Sequence, residues 1–115
     1  MGGLPRPAGG AAQRGGIVIV EFTAEVFRWD ARDDASWFFV AVPPELSEDI
    51  REIPRPQRGF GSVKVRAMIG GSAWATSIFP DKSMGAYVLP LKKAVRDAEA
   101  LAEGERATVR LDVLD

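Results

Sequence analysis

The sequence predicts a mainly β protein, a small six-stranded barrel capped by two short helices. In several stretches apolar and polar residues alternate with a period of two, which indicates half-buried strands. A Gly-Gly pair joins two of these stretches as a tight turn would, and two other stretches follow a proline with apolar residues at helical spacing. Six strands in roughly 100 residues favour a barrel, because closing the sheet leaves no open strand edges.

The clearest element is a hairpin centred on Gly70 and Gly71. Two adjacent glycines can adopt the positive φ angles of a two-residue turn. Residues 62–69 alternate before this turn, and residues 72–79 return after it. The turn fixes the register of the pairs. The predicted pairs are Ala67 with Trp74, Val65 with Thr76 and Val63 with Ile78 on the apolar face, and Lys64 with Ser77 and Arg66 with Ala75 on the polar face.

The amino-terminal half begins with residues 1–16, which are mostly glycine, proline and alanine. We predict that this segment is a disordered tail, because it holds too little apolar surface to offset its ordering entropy, and that residues 17–115 form a single domain. Residues 17–29 alternate as a first strand. Residues 36–42 are apolar on both faces, which predicts a central strand. A short helix then starts at Pro44 and ends before Pro54, with Leu46, Ile50 and Ile53 on its apolar side.

The carboxy-terminal half repeats this order after the hairpin. Residues 86–89 form a short strand that ends at Pro90. A second helix follows, with Gly104 predicted as its carboxy-terminal cap. Its apolar stripe comprises Leu91, Ala94, Val95, Ala98 and Leu101. Residues 105–114 form the last strand. The chain thus reads as two consecutive β-β-α-β units, a pseudo-twofold repeat.

At this point the residues resemble a bacterial family of small proteins known as a domain of unknown function. The resemblance covers nearly all of residues 17–115. It is carried by FFVAVPPELSEDI, by GFGSVKVRAMIGGSAWATSIFP with its glycine turn, by GAYVLPLKKAVRDA and by LAEGERATVRLDV. It implies a double-split β-barrel, the architecture of AbrB-like and MazE-like regulator domains, here with both halves in one chain. Some relatives carry a segment similar to bacteriocin-protection proteins. The resemblance supplies no catalytic residue.

Composition excludes several kinds of chemistry. The chain has neither cysteine nor histidine, so it lacks thiolate metal ligands, the commonest metal-binding side chain and the commonest general base. Ser77 opposite Lys64 permits a serine–lysine nucleophile pair, but nothing near it indicates an oxyanion hole. We therefore predict no enzymatic activity, no catalytic residue, no metal and no cofactor.

Charge is distributed unevenly along the chain. The formal net charge is −1, yet residues 51–96 hold nine basic and two acidic residues, a local charge of +7. Lys92 and Lys93 stand at the start of the second helix, where the helix dipole favours acidic residues. We predict a tentative anion-binding site of Lys64, Arg66, Lys92 and Lys93. The simpler alternative is that both lysines are ordinary solvated side chains.

Two functions remain open at this stage. One is a non-enzymatic binding module for a small anionic molecule or a protein partner. The other is an AbrB-like DNA-binding regulator, which rests on fold analogy and is disfavoured by the net negative charge. We expect no membrane association and a cytoplasmic location, because no stretch has the roughly 18 apolar residues of a membrane span and no apolar signal segment is present.

Overall fold

The computed structural model of the protein describes residues 9–14, 17–30, 36–53 and 61–114, with side chains for 18–29, 37–53 and 61–114. These ranges contain eight strands and two helices: β1 (Gly9–Arg14), β2 (Ile17–Glu25), β3 (Phe27–Asp30), β4 (Ser36–Ala41), α1 (Pro44–Arg51), β5 (Val63–Ile69), β6 (Ser72–Asp81), β7 (Ala86–Pro90), α2 (Lys93–Glu99) and β8 (Arg106–Val113). Neither of these helices is long and apolar enough to cross a membrane. The chain is mainly β with two short helices, as predicted.

The strands form one curled antiparallel sheet in the order β1-β2-β8-β5-β6-β7-β4-β3. Only Val26 separates β2 from β3, so one continuous stretch of chain connects the second strand of this sheet with the last. Val26 breaks the strand because its N–H donates to the Glu105 carbonyl and its own carbonyl accepts from the Gly104 N–H, both at 2.8 Å. The predicted count of six strands is wrong. The described residues form eight strands, or seven if β2 and β3 count as one.

The hairpin register is confirmed. Ala67 pairs with Trp74, Val65 with Thr76 and Val63 with Ile78, and the polar face pairs Lys64 with Ser77 and Arg66 with Ala75. Gly70 has a φ of +56°, the left-handed region that the turn requires. The apolar members of β5 are buried and its two cations are exposed. Turn chemistry and side-chain alternation therefore specify the same pairing.

The first helix agrees with its prediction and the second differs at its end. In α1 Leu46 and Ile50 are buried, and Ile53 beyond the helix packs partly buried on the core. Gly104 does not cap α2. Ala100 does so in the left-handed conformation, with a φ of 55°, and Gly104 lies in the turn before β8. The early end lets Leu101 turn into the core, where it is buried.

The two halves of the chain make matching contacts. The Val42 N–H donates to the Tyr87 carbonyl at 2.9 Å, and the Leu91 N–H donates to the Phe38 carbonyl at 2.8 Å. Each of these bonds joins the segment before a helix to a strand of the other half. Each helix also places an arginine over an aromatic ring of the other half. Arg51 lies 5.8 Å from the Tyr87 ring centroid, and Arg96 lies 4.1 Å from that of Phe38.

The amino-terminal segment differs from the expected disordered tail over Gly9–Arg14. This stretch forms β1, which pairs antiparallel with β2 from Gly9 opposite Phe22 to Arg14 opposite Ile17. Residues 1–8 and 15–16 lie outside the described residues. Hydrophobicity cannot reveal such a strand, because a strand added at an edge is held by backbone hydrogen bonds.

Amide hydrogen exchange tests this strand. We expect the alternate amides of Gly9–Arg14 that face β2 to exchange at least about tenfold more slowly than those of an unstructured peptide, because pairing must open before exchange. The peptide GGAAQR, measured under the same conditions, is the control. Equal exchange rates in the protein and the peptide would support a disordered tail instead.

Candidate binding cleft

A cleft opens where β6 and β7 diverge. Their pairing runs from Asp81 with Ala86 to Phe79 with Val88 and stops there. The same register would next bring Ser77 opposite Pro90. The Leu91 N–H faces β4, where it donates to the Phe38 carbonyl, so by alternation the nitrogen of Pro90 faces β6. A proline nitrogen carries no hydrogen to donate, and the ladder cannot continue.

The cleft has a volume of about 400 Å³. Its wall on β6 consists of Trp74 and Thr76. These two residues lie opposite Ala67 and Val65, which have no exposed surface, so they share the inner face of the sheet. The remaining lining residues are Trp37, Phe38, Pro90, Leu91, Lys92 and Arg96. Five of the eight lining side chains are aromatic, apolar or proline, which is typical of a site for an organic ligand.

Two cationic side chains line this apolar cleft. Arg96 of α2 is held in place twice: its guanidinium stacks on Phe38, and its Nε donates to the Leu91 carbonyl at 3.1 Å. Lys92 precedes α2 and is exposed. Within the described residues neither Arg96 nor Lys92 forms an ion pair with a carboxylate. The cleft therefore offers unneutralised positive charge beside aromatic surface.

A second cleft, of about 590 Å³, lies on the other side of the Arg96–Phe38 stack. It shares these two residues with the first and is otherwise lined by Arg28, Asp97, Ala100, Leu101, Ala102 and Glu103. Arg28 and Glu103 approach to 3.7 Å across it, and Asp97 binds Lys93. The charges of this second cleft are largely paired within the protein, which favours the first cleft as the binding site.

The four residues of the predicted anion site fall in different surroundings. Lys92 lines the cleft. Lys93 instead pairs with Asp97, with Nζ to Oδ2 at 2.7 Å, one helical turn along α2. Lys64 and Arg66 lie on the face of β5 opposite to that of Val65, hence on the outer face of the curled sheet. Anion binding by these four residues stays a prediction, and only Lys92 is part of the cleft.

Arg66 also meets negative charge on this outer face. It stands opposite Asp112 of β8, whose carboxylate accepts from the Arg110 Nε at 2.8 Å. The hydrogen bond from Arg110 to Asp112 and their mutual attraction raise the pKa of Arg110. Arg51, another base of the 51–96 segment, pairs with Glu48 at 2.9 Å. Acidic residues thus lie beside several of the basic residues on the surface.

The serine–lysine pair considered from the sequence lies outside the cleft. Ser77 and Lys64 are opposite each other on the outer face.

Asp81, at the end of β6, has a lowered pKa, first because the Ser83 hydroxyl donates to its carboxylate and also because backbone N–H groups of the turn donate to it. This turn, residues 82–85, reverses the chain between β6 and β7, so its hydrogen bonds have a structural role.

Sequence reasoning missed Arg96, Phe38 and Trp37. Their proximity depends on the pairing of β4 with β7, which brings Phe39 opposite Pro90, and periodicity within a strand cannot reveal such a long-range pair. A signal was nevertheless present. Pro90 was interpreted only as a strand end, although a proline that follows one arm of a hairpin also predicts that the two arms separate.

One family model matches the chain. It is described as "Domain of unknown function (DUF1905)" and covers residues 22–111, which include β4 to β7, both helices and every residue that lines the cleft. No curated protein matches the chain. Since the model spans well over half of the sequence, this protein belongs to the DUF1905 family of uncharacterised domains.

Proposed function

We propose that this protein is a non-enzymatic binding module whose cleft holds an apolar or aromatic group that bears a negative charge. The observation that carries the proposal is an aromatic cleft lined by Lys92 and Arg96, neither of which forms an ion pair with a carboxylate of the described residues. Transferring an aromatic group from water to such a wall is favourable. A carboxylate or phosphate on the same molecule would be attracted to both positive charges.

Arg96 is the better anchored of the two cations. Its stack on Phe38 and its bond to the Leu91 carbonyl fix the guanidinium before a ligand arrives. Less side-chain entropy is then lost on binding than with a mobile side chain. The guanidinium can also bind a carboxylate through two parallel N–H donors, whereas Lys92 contributes a point charge.

We also propose that the curled sheet is a double-split β-barrel built from two related halves. The matched bonds of Val42 and Leu91 and the matched stacks of Arg51 and Arg96 support this. In such an architecture the curled sheet splits where β6 leaves β7, and the cleft lies in that gap. The relationship to AbrB-like domains is part of this proposal, and the predicted count of six strands is not.

A DNA-binding role is the weaker alternative. Duplex binding needs a continuous basic surface, whereas here Arg66 faces Asp112, Arg51 pairs with Glu48 and Lys93 pairs with Asp97. Several bases of the 51–96 segment thus lie in the cleft or beside acidic residues. A bacterial origin, which rests on the resemblance, and a cytoplasmic location are compatible with either role and are likewise proposed.

The binding test is an NMR titration with 2-naphthoate at low salt, with the neutral 2-naphthamide as matched ligand. We expect amide shifts at the cleft, near Trp74, Thr76 and Leu91, and binding of naphthamide that is about three- to tenfold weaker, because an exposed charge pair contributes up to about 1 kcal/mol.

The chain offers a matched pair of variants. Lys92→Gln should weaken naphthoate binding by a smaller factor, because Arg96 remains, whereas Lys93→Gln should leave it unchanged because that ammonium is directed to Asp97. Equal effects of the two variants would indicate a diffuse field, and shifts outside the cleft would refute the site.

A further inference from the structure

The edge of β6 beside the cleft has no strand neighbour in the described part of the chain. Residues 72–78 pair with β5 on one side, and pairing with β7 begins only at Phe79. Ile69 and Ser72 flank a two-residue turn and form a hydrogen-bonded pair. The alternation of an antiparallel ladder then turns the N–H and C=O groups of Ala73, Ala75 and Ser77 away from β5, toward the open side.

The matching place in the other half is filled by β1. In the repeat, β2 corresponds to β6, since β2 pairs with β8 as β6 pairs with β5. The second side of β2 carries β1, and β1 also contacts α1, the counterpart of α2. A six-residue extended segment therefore lies between strand and helix in one half. The same position in the other half is the cleft between β6 and α2.

Beyond Ser72, whose hydroxyl donates to Glu99 of α2 at 2.7 Å, the strand itself carries none of the sequence features that prevent pairing. Natural edge strands carry lysine, proline or a bulge. Residues 72–79, SAWATSIF, contain no charged residue and no proline, and the register with β5 is free of bulges. Ala73 and Ala75 are small and exposed, so an added strand could approach their backbone closely.

We propose that the ligand of the cleft is an extended polypeptide segment that adds to β6 as a strand and directs an acidic side chain to Lys92 and Arg96. This deepens the proposed function and rests on it for the acidic group. Backbone pairing with Ala73 and Ala75 supplies the attachment, and alternate apolar side chains of the segment face Trp74 and Thr76. The partner is thus a β-prone acidic peptide.

The probe is the heptapeptide TVTETVT, blocked at both ends, whose valines and glutamate share one face. We expect NMR shifts at the amides of residues 73, 75 and 77 and at the cleft. Two N-methylated versions of the peptide, which block alternate amides, should differ in their affinity for the protein. The one that removes the donors facing β6 should bind at least about tenfold more weakly than the other, because two or more hydrogen bonds are lost. The glutamine version, TVTQTVT, should bind about three- to tenfold more weakly than TVTETVT, because it lacks the acidic side chain.

Ala75→Pro is the matched variant of the protein. It removes an N–H that faces the open side, so the ladder with β5 is retained and the edge is blocked. Binding of TVTETVT should fall at least about tenfold. Binding of 2-naphthoate should persist, and it serves with the amide spectrum as the check on folding.

The outcomes separate the two proposals. Naphthoate binding at the cleft without any peptide binding would overturn strand addition and leave the proposed function standing. Peptide binding that depends on the methylation pattern, with no naphthoate binding, would support strand addition and refute the general anion site. Equal binding of both methylated peptides, or shifts confined to β1 and β2, would overturn strand addition. So would a dimer in which residues 73 and 75 are protected without peptide, because a second copy would then occupy the edge.

Discussion

Replacing Trp74 by alanine is expected to lower the free energy of unfolding by about 3–5 kcal/mol, the usual cost of removing a large core aromatic. Trp74 is only 8% exposed and belongs to the main hydrophobic cluster, opposite the fully buried Ala67. A domain of this size has about 5–15 kcal/mol of stability in total. The loss should therefore appear as a large fall in the urea midpoint, followed by circular dichroism.

Trp37→Ala is the control for this experiment. Trp37 also lines the cleft, yet it is 56% exposed, so its loss should cost less than about 1 kcal/mol. The two variants remove the same atoms and differ in burial. Similar midpoints for both would contradict the inward position of Trp74, and with it the role of the hairpin in the core.

Ser47→Ala is expected to cost about 1–3 kcal/mol, although it removes a single oxygen. Ser47 is the one buried polar residue of the described chain. Its hydroxyl donates to the Val42 carbonyl at 3.1 Å and accepts from the Tyr87 N–H at 3.0 Å. Alanine would remove the hydroxyl that accepts from the Tyr87 N–H, and loss of a buried hydrogen-bond partner carries a desolvation penalty.

Ser83→Ala provides the comparison for Ser47. The Ser83 hydroxyl donates to Asp81 in an exposed turn, where water can replace it, so a change below about 0.5 kcal/mol is expected. Thermal unfolding of both variants at one pH measures the difference. Equal melting temperatures would show that α1 is not joined to β7 through Ser47.

The features that the sequence predicted correctly are local ones. Gly70 and Gly71 determine the hairpin because only a two-residue turn brings every apolar partner of β5 and β6 to one face. Pro44 and the spacing of Leu46 and Ile50 determine α1 in the same way. In each case the local turn or helix preference and the burial pattern concern the same few residues, and both specify the same structure.

The features that the sequence did not predict depend on distant partners. Val26 interrupts its strand because it bonds to Gly104 and Glu105, almost eighty residues later. α2 ends at Glu99, before Gly104, because Leu101 is required in the core. The candidate site shows the same division. The sequence identifies Lys92 because its charge conflicts locally with the helix dipole. Arg96 can be assigned to the site only from the structure, which places its guanidinium over the Phe38 ring.

The pairing of β2 with β8 has a consequence for folding during synthesis of the chain. β2 is the first strand of the central core to leave the ribosome, and its partner β8 is the last of the described strands. At about 5–20 residues per second, roughly 5–20 s pass before β8 exists. During that interval the apolar side chains of β2, among them Val20 and Phe22, have no partner strand on the β8 side. Folding is then governed by the closure of a very long loop, and the nascent amino-terminal half is the segment most exposed to aggregation and to chaperones.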